Sequence, residues 1–446
     1  MNYTPHTEAD IGQMLEAVGA DHVDRLFDPI PEELRLEGLD LPKGVSEMEA
    51  IARLDGLARE IQTSGPDLCF IGAGAYDHFS PSVVDAVISR GEFFTAYTPY
   101  QPEVSQGTLR AIYEFQTMIC ELTGMEIANA SMYDGSSALA EAVMMAARIR
   151  DAQRVLLPRS LHPYYRKVVE AYARGAGLKM VDVPWTRAGT MDLDALKDEL
   201  DDDTTAVVVQ NPNFLGVLEP LDAIGEIVTD SAASYVACVN PMSLGLIRPP
   251  GDFGADIVVG DGQPLGLLLS FGGPYVGFFA TREAHVRKMP GRIVGQTTDV
   301  DGKCGYVLTL KTREQDIRRE RATSNICTNQ TLCATAVTVF LSSLGPQGLG
   351  EAAALNWAHS HQAADALATL DGVSLPFDGA FFNEFVVACD RSAHEVLGAM
   401  SSRGIAGGID LGRFYPELDH HILTCVTEKR TGEEIDRLLS AWKEAV

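Results

Sequence analysis

The chain has few lysines, few cations against its acids, no paired cysteine motif and no long apolar run, and each shortage excludes something. Thirty-five Lys and Arg stand against 62 Asp and Glu, a formal net charge of −27. Binding a phosphate backbone or an anionic bilayer needs clustered cations, so neither nucleic acid nor a membrane is the expected partner. Only nine residues are lysine, and so acidic a surface suits a saline or dense cytoplasm. The eight cysteines (69, 120, 238, 304, 327, 333, 389, 425) form no C-x-x-C pair. Most sit in apolar contexts such as Leu68-Cys69-Phe70, which reads as buried free thiols in a reducing, cytoplasmic compartment. His359-Ser-His361 and His420-His421 lack Cys or carboxylates at ligand spacing, so no metal is expected. Runs such as LGLLLSFGG fall short of the roughly 18–20 residues a bilayer span needs. The opening MNYTPHTEADIGQML has neither the basic nor the apolar region of a secretory signal.

What is present points to a large globular α/β protein. The chain has 446 residues, 46% hydrophobic and 22% charged, enough to bury a sizeable core over two or more domains. Thr7 to Asp10 fits a capping box before Ile11, Met14, Leu15 and Val18 at helical spacing. A Pro- and Glu-rich connector and a helix from about Glu47 to Ile61 follow, so residues 1–65 read as a helical arm. DLCFIGAG (67–74) reads as a strand entering a turn, and GTLRAIYEFQTMICELTG as a long helix stopped by Gly124. From there short apolar strands (NASMY, RVLLP, LKMVDVPW, TAVVVQ, YVACVN, ADIVV) alternate with helices of 10–15 residues. That alternation predicts βαβ units, a largely parallel sheet and helices on both faces, over residues 66–340. ADIVV and GPYVGFF read as buried neighbouring strands. Beyond about residue 340 an Ala-rich helix leads to NEFVVAC, HEVLGAMSSRG, HHILTCVT and GEEIDRLLSAWKEAV, a smaller α+β domain over 341–446.

Several segments carry candidate chemistry, each beside a plainer reading. IGAGAYD (71–77) contains G-x-G after a strand, but Asp77 holds the third glycine position and His78-Phe-Ser-Pro81 interrupts the helix, so a structural glycine turn competes with a dinucleotide fingerprint. Gly135-Ser136-Ser137 stands between a strand and a helix, where free N–H groups and hydroxyls suit a phosphate, or where a serine caps the helix. His162 lies in a strand-to-helix loop, to stack on a cofactor ring or to sit in solvent. TAYTPYQPEVSQG (95–107) packs tyrosines, prolines, Gln101 and Glu103 into an irregular segment of the kind that lines binding sites or anchors subunit interfaces. RRERATSNICTNQT (318–331) is either a grip for a carboxylate or phosphate or a solvated basic turn.

In order, FIGAGAYDHF, YTPYQPEVSQG and RIVGQTTDVDGKCGYVLTLKTREQDIRRERATSNICTNQ resemble the P-protein of the glycine cleavage system, glycine decarboxylase, over nearly the whole chain. The length resembles the first, or α, subunit of the two-subunit form. The resemblance implies the pyridoxal-phosphate (PLP)-dependent aspartate-aminotransferase-like fold, a mostly parallel α/β domain followed by a smaller α+β domain. It implies decarboxylation of glycine and passage of the aminomethyl group to the lipoyl arm of H-protein, in a system completed by T-protein and L-protein. PLP serves that chemistry as an electron sink.

The resemblance also says where the cofactor's protein groups belong, and two are missing. The Schiff-base lysine is expected after ADIVV, where Gln263, Pro264 and Leu265 stand instead, with Lys288 and Lys303 too far along to substitute. The aspartate that pairs with the pyridine nitrogen is expected after YVACVN, where Val239-Asn240-Pro241 stand. Gly135, Ser136, Ser137 and His162 outline a degenerate cofactor pocket. The resemblance therefore implies a subunit without covalent cofactor, PLP being held by the P-protein β subunit. Glycine would bind at a site shared with that partner. Tyr97, Thr98, Tyr100, Gln101 and Glu103 are expected to form a loop reaching it; Arg321, Thr323, Ser324 and Asn325 are expected at anion or interface contacts. An autonomous PLP enzyme, a purely structural subunit and a dehydrogenase using IGAGAYD are the rival readings.

Overall fold

A computed structural model of the protein describes residues 5–36 and 38–446. Residues 1–4 of the opening segment and Glu37 of the connector lie outside the described residues. The chain forms two compact units, Met1–Gly65 and Pro66–Val446.

The first unit is built by local signals. Thr7 and Asp10 close a capping box on the helix Glu8–Val18, which ends on Gly19 in the left-handed conformation. Ser46 and Glu49 do the same for the helix Glu47–Ser64. Reciprocal caps of this kind satisfy helix donors that have no partner within the helix. No described side chain of this unit is buried, and Met48, Ile51, Leu54 and Leu57 are exposed. Caps can set helix ends without a core; they cannot make one.

The second unit opens with β1 (Leu68–Cys69) and is organised by one seven-stranded sheet. Its strands are β2 (Ile127–Ala128), β3 (Arg154–Pro158), β4 (Lys179–Val183), β5 (Thr204–Asn211), β6 (Ser234–Val239), β7 (Ile257–Asp261) and β8 (Gly277–Thr281), in the order β2-β8-β7-β6-β5-β3-β4. Neighbours pair in parallel from β4 through β7, while β8 runs antiparallel to both its neighbours. The run NASMY is strand only beside its start: past β2 it continues as an irregular crossing, tied by Asn129 N to Phe279 O, Ala130 N to Arg292 O and Met132 N to Gly277 O. Side chains alternate between faces, as the strand period requires. Val207, Val209 and Val258 pack with Phe115, Val337 and Phe340. Ala206, Val208 and Val259 pack on the other face with Leu139, Val143 and Val169. Burial on both faces explains why these strands read as continuous apolar runs.

A hairpin of β9 (Ile293–Thr298) and β10 (Cys304–Thr309) follows. The second layer consists of β11 (Val373–Ser374), β12 (Glu384–Cys389), β13 (Ile405–Ala406), β14 (Ile409–Asp410) and β15 (His421–Cys425). Four of them form an antiparallel sheet, β11-β12-β15-β14, whereas β13 pairs in parallel with β1. The strand near residue 68 thus joins the C-terminal layer, and the expected boundary near 340 falls inside the helix Thr331–Leu367. That helix is long and apolar enough by composition to cross a membrane, unlike the shorter runs weighed in the sequence. Cys333, Ala334, Ala336, Val337 and Phe340 bury it against the sheet, and Gly345 breaks it with φ 62° ahead of Pro346.

Candidate functional site

Open parallel sheets bind ligands beyond the carboxyl ends of their strands, and here those ends meet. Gln210 from β5, Val239 closing β6, Asn240 just after it, and Asp261 and Pro264 at and after β7 converge with His162 on one void. Its volume is about 30 Å³, room for about one water molecule, where pockets that hold small organic ligands run to about 300–1,000 Å³. A phosphorylated pyridine ring does not fit.

The space is filled by the chain's own groups. Asp261 Oδ2 accepts the Gly135 N–H at 2.9 Å and its Oδ1 accepts the Gln263 N–H at 2.9 Å. Burial pushes the Asp261 carboxyl up to about 7, against the pull of those two donors. Gln263, fully buried, accepts the Tyr76 N–H at 2.8 Å. Its amide donates to Tyr76 O and to Leu267 O, each at 2.8 Å. An amide can donate and accept at once, which an ammonium cannot. Gln263, in the turn where the lysine was expected, therefore pins the 71–78 segment to the sheet.

That segment is a strap between the layers and follows the structural-turn reading of IGAGAYD. Ala73 N–H donates to Glu384 Oε1 at 2.6 Å and Tyr76 Oη to Glu384 Oε2 at 2.8 Å. Burial raises the Glu384 carboxyl to about 7. His78 Nδ1 meets Glu428 at 2.7 Å, and Arg430 donates to Asp77 at 2.9 Å. A side chain at Gly72 would run into Cys425 Cβ at 2.8 Å. Only glycine permits so close an approach.

The remaining pocket residues are also engaged. Asp134, not a serine, caps the helix Gly135–Ile149: its Oδ1 accepts the Ser137 N–H at 2.8 Å and the Ser136 hydroxyl at 2.6 Å. Ser137 Oγ donates to Asp134 O at 3.0 Å. His162 is buried rather than solvated. Its Nδ1 accepts the Tyr164 N–H at 3.1 Å, its Nε2 donates to Ala73 O at 2.9 Å, and Tyr165 stacks on its ring at 4.7 Å. Burial holds its pKa below the ordinary value, so the neutral ring is favoured.

A second cluster gathers around Arg292, which the sequence reading quoted in RIVGQTT without singling out. Its guanidinium donates to Thr98 Oγ1 and to Tyr100 Oη, each at 3.1 Å, reaches Thr328 Oγ1 at 3.5 Å and lies 3.6 Å from Glu314. Lys311 Nζ stands 5.0 Å from the centre of the Tyr100 ring. Arg292 therefore brings the 95–107 segment to the end of the 318–331 segment. Thr98 and Tyr100 anchor the first of these, leaving Tyr97, Gln101 and Glu103 exposed. The second does not assemble as an anion grip. Arg321 is exposed beside Glu320, Thr323 N donates to Arg313 O, Ser324 Oγ donates to buried Glu141 at 2.7 Å, and Asn325 is exposed. None of these residues lines the void at the strand ends. The sequence analysis singled out none of Asp261, Arg292 and Glu384: Asp261 carried only the local signal of an acid closing an apolar strand, and the other two carried none, because their partners lie far away in sequence.

Among the described residues no group of His, Cys, Asp and Glu is arranged to hold a metal ion, and all eight cysteines are free. Comparison with known proteins adds the rest. A family model described as glycine cleavage system P-protein matches residues 1–442. A protein of Desulfitobacterium hafniense named "Probable glycine dehydrogenase (decarboxylating) subunit 1" is 50% identical over 445 residues, covering 100% of both chains. Among solved structures, an inhibitor-bound glycine decarboxylase (P-protein) of the glycine cleavage system superposes with a TM-score of 0.94 at 44% identity, covering 100% of both chains. A sphingosine-1-phosphate lyase of Burkholderia pseudomallei shares the fold at TM-score 0.68 and 17% identity, covering 93% of each chain.

Proposed function

Because this chain belongs to the glycine cleavage system P-protein family, we propose that it is subunit 1 of a two-chain glycine dehydrogenase (decarboxylating), with PLP held by the second subunit. The complex decarboxylates glycine, releases carbon dioxide and passes the aminomethyl group to the lipoyl arm of H-protein, ahead of T-protein and L-protein. The observation that carries the division of labour is the small void at the ends of β5, β6 and β7. It has no lysine, no arginine and too little room for the cofactor.

This chain's part is to shape the shared site. Arg292 fixes Thr98 and Tyr100, and so holds the exposed Tyr97, Gln101 and Glu103 as the rim of a loop that faces the second subunit, where glycine binds. Arg321 and Asn325, exposed on the neighbouring segment, flank that rim. Thr323 and Ser324 hold the segment in place.

Two measurements on the assembled complex test this. Borohydride treatment should fix the cofactor to a lysine of the second subunit and to none of this chain; label on this chain ends the proposal. Arg292→Lys keeps the charge but loses the two-pronged grip on Thr98 and Tyr100, and Glu103→Ala trims the rim. Each should leave assembly intact and cut glycine turnover roughly 10- to 100-fold, the scale at which small misplacements act. Unchanged turnover in both would leave a purely structural subunit.

A further inference from the structure

We propose that the Asp261 carboxylate is an internal substitute for a cofactor phosphate, occupying the anion position at the N-terminus of the helix Gly135–Ile149 and keeping phosphorylated ligands out of this subunit. The inference deepens the reading above and rests on it only for the identity of the displaced ligand.

The first turn of a helix offers backbone N–H groups without partners, and an anion is the ordinary way to satisfy them. Here the first helical residue, Gly135, gives its N–H to Asp261 Oδ2 at 2.9 Å. The other oxygen takes the Gln263 N–H at 2.9 Å. The carboxylate thus binds across the loop and the helix as one face of a phosphate would. The turn is tightly packed around that carboxylate: a Cβ built on Gly135 would stand 2.9 Å from Asp261 N and against the Tyr165 hydroxyl. Charge disfavours a phosphate there. No lysine or arginine lines the void, and the cap Asp134 adds a second carboxylate beside the same turn. A phosphate dianion there would meet two acids and no cation.

A separate observation concerns the other end of the void. Asn240 is half-buried just after β6 and lines the same void, and its Nδ2 atom, itself shielded, has no hydrogen-bond partner in the protein. Buried donors are nearly always paired. Its position is the one where the resemblance expects an aspartate facing a pyridine nitrogen. The pocket therefore keeps a cofactor's outline, with Asp261 where the phosphate would lie and an orphan amide where the ring would point.

The test uses the full chain, inorganic phosphate and PLP as probes, and three proteins. Wild-type should show no phosphate-dependent rise in melting temperature and no phosphate-competed binding of PLP. Asp261→Ala removes charge and bulk, leaving the Gly135 and Gln263 N–H groups unpaired. It should bind phosphate at least about tenfold more tightly than wild-type, with a matching rise in Tm. Asp261→Asn removes only the charge and should stay close to wild-type if space also excludes the anion. Two results overturn the proposal: wild-type binding PLP in competition with phosphate, or folded Asp261→Ala binding phosphate no better than wild-type. If Asp261→Ala fails to fold, Asp261→Gly takes its place under the same criterion: phosphate binding at least about tenfold tighter than wild-type supports the proposal and binding no tighter overturns it. The borohydride experiment on the complex reads the subunit assignment separately, so either idea can fail alone.

Discussion

Glu384 shows what a single buried acid does to the whole chain. Its carboxyl is held by the Ala73 N–H and the Tyr76 hydroxyl, and burial still raises it from 4.5 to about 7. The folded chain therefore keeps a proton over a range where the unfolded chain has released it. Stability contributed at this site is complete below pH 4.5 and declines as pH rises through 7. The penalty above that range is about 3 kcal/mol, at about 1.4 kcal/mol per unit. Asp261 and Glu219, each raised to about 7 by burial, have the same sign. Glu384→Gln retains an acceptor for the Ala73 N–H and a donor toward the Tyr76 oxygen, and loses the charge. In urea melts its stability relative to wild-type should increase between pH 5 and pH 8. An equal difference at both pH values would show that Glu384 does not titrate as described.

Among elements, the turn after β7 decides most. Gln263 donates twice and accepts once within a closed layer, so replacing it is not a matter of adding a reactive amine. Gln263→Lys can still donate to Tyr76 O and Leu267 O, but it leaves the Tyr76 N–H without an acceptor and brings a charge into a fully buried position. A loss of about 3 kcal/mol or more is expected. Borohydride should find no cofactor on Lys at that position, because Asp261 and His162 keep the site full. Covalent PLP on Gln263→Lys would show that only the lysine is missing and that the pocket can open. The strap residues 71–78 and the helix cap Asp134 act at the same scale: each ties a loop whose sequence alone reads as a ligand site.

Over the whole molecule the net charge of −27 dominates long-range behaviour. Many of the acids are exposed and too few cations exist to pair them, so the folded state repels itself. Raising salt from about 0.01 to about 0.5 M shortens the screening length from about 30 Å to a few ångströms. Tm should therefore rise over that range and the chain should stay in solution. A flat or falling Tm, or precipitation, would remove self-repulsion as a governing term and the saline-cytoplasm expectation with it.

The short, continuously apolar strands β5 to β7, their alternation with helices, the cap at Thr7 and the stop at Gly124 were legible from the chain, because each is set by neighbours within a few residues. The absence of a lysine near Pro264 and of an aspartate at Asn240 was legible too, since a missing side chain needs no fold to be missed. Three things waited for tertiary structure: what fills the gap, which layer residues 68–76 join, and what holds Tyr100. Gln263 meets Tyr76 across 187 residues, Ala73 meets Glu384 across 311, and Arg292 meets Tyr100 across 192. The sequence by itself determined that this chain carries the family's scaffold without its reactive groups. Only the folded chain decided how that space is tied up by Gln263 and Asp261, because hydrogen bonds between distant segments have no trace in local pattern.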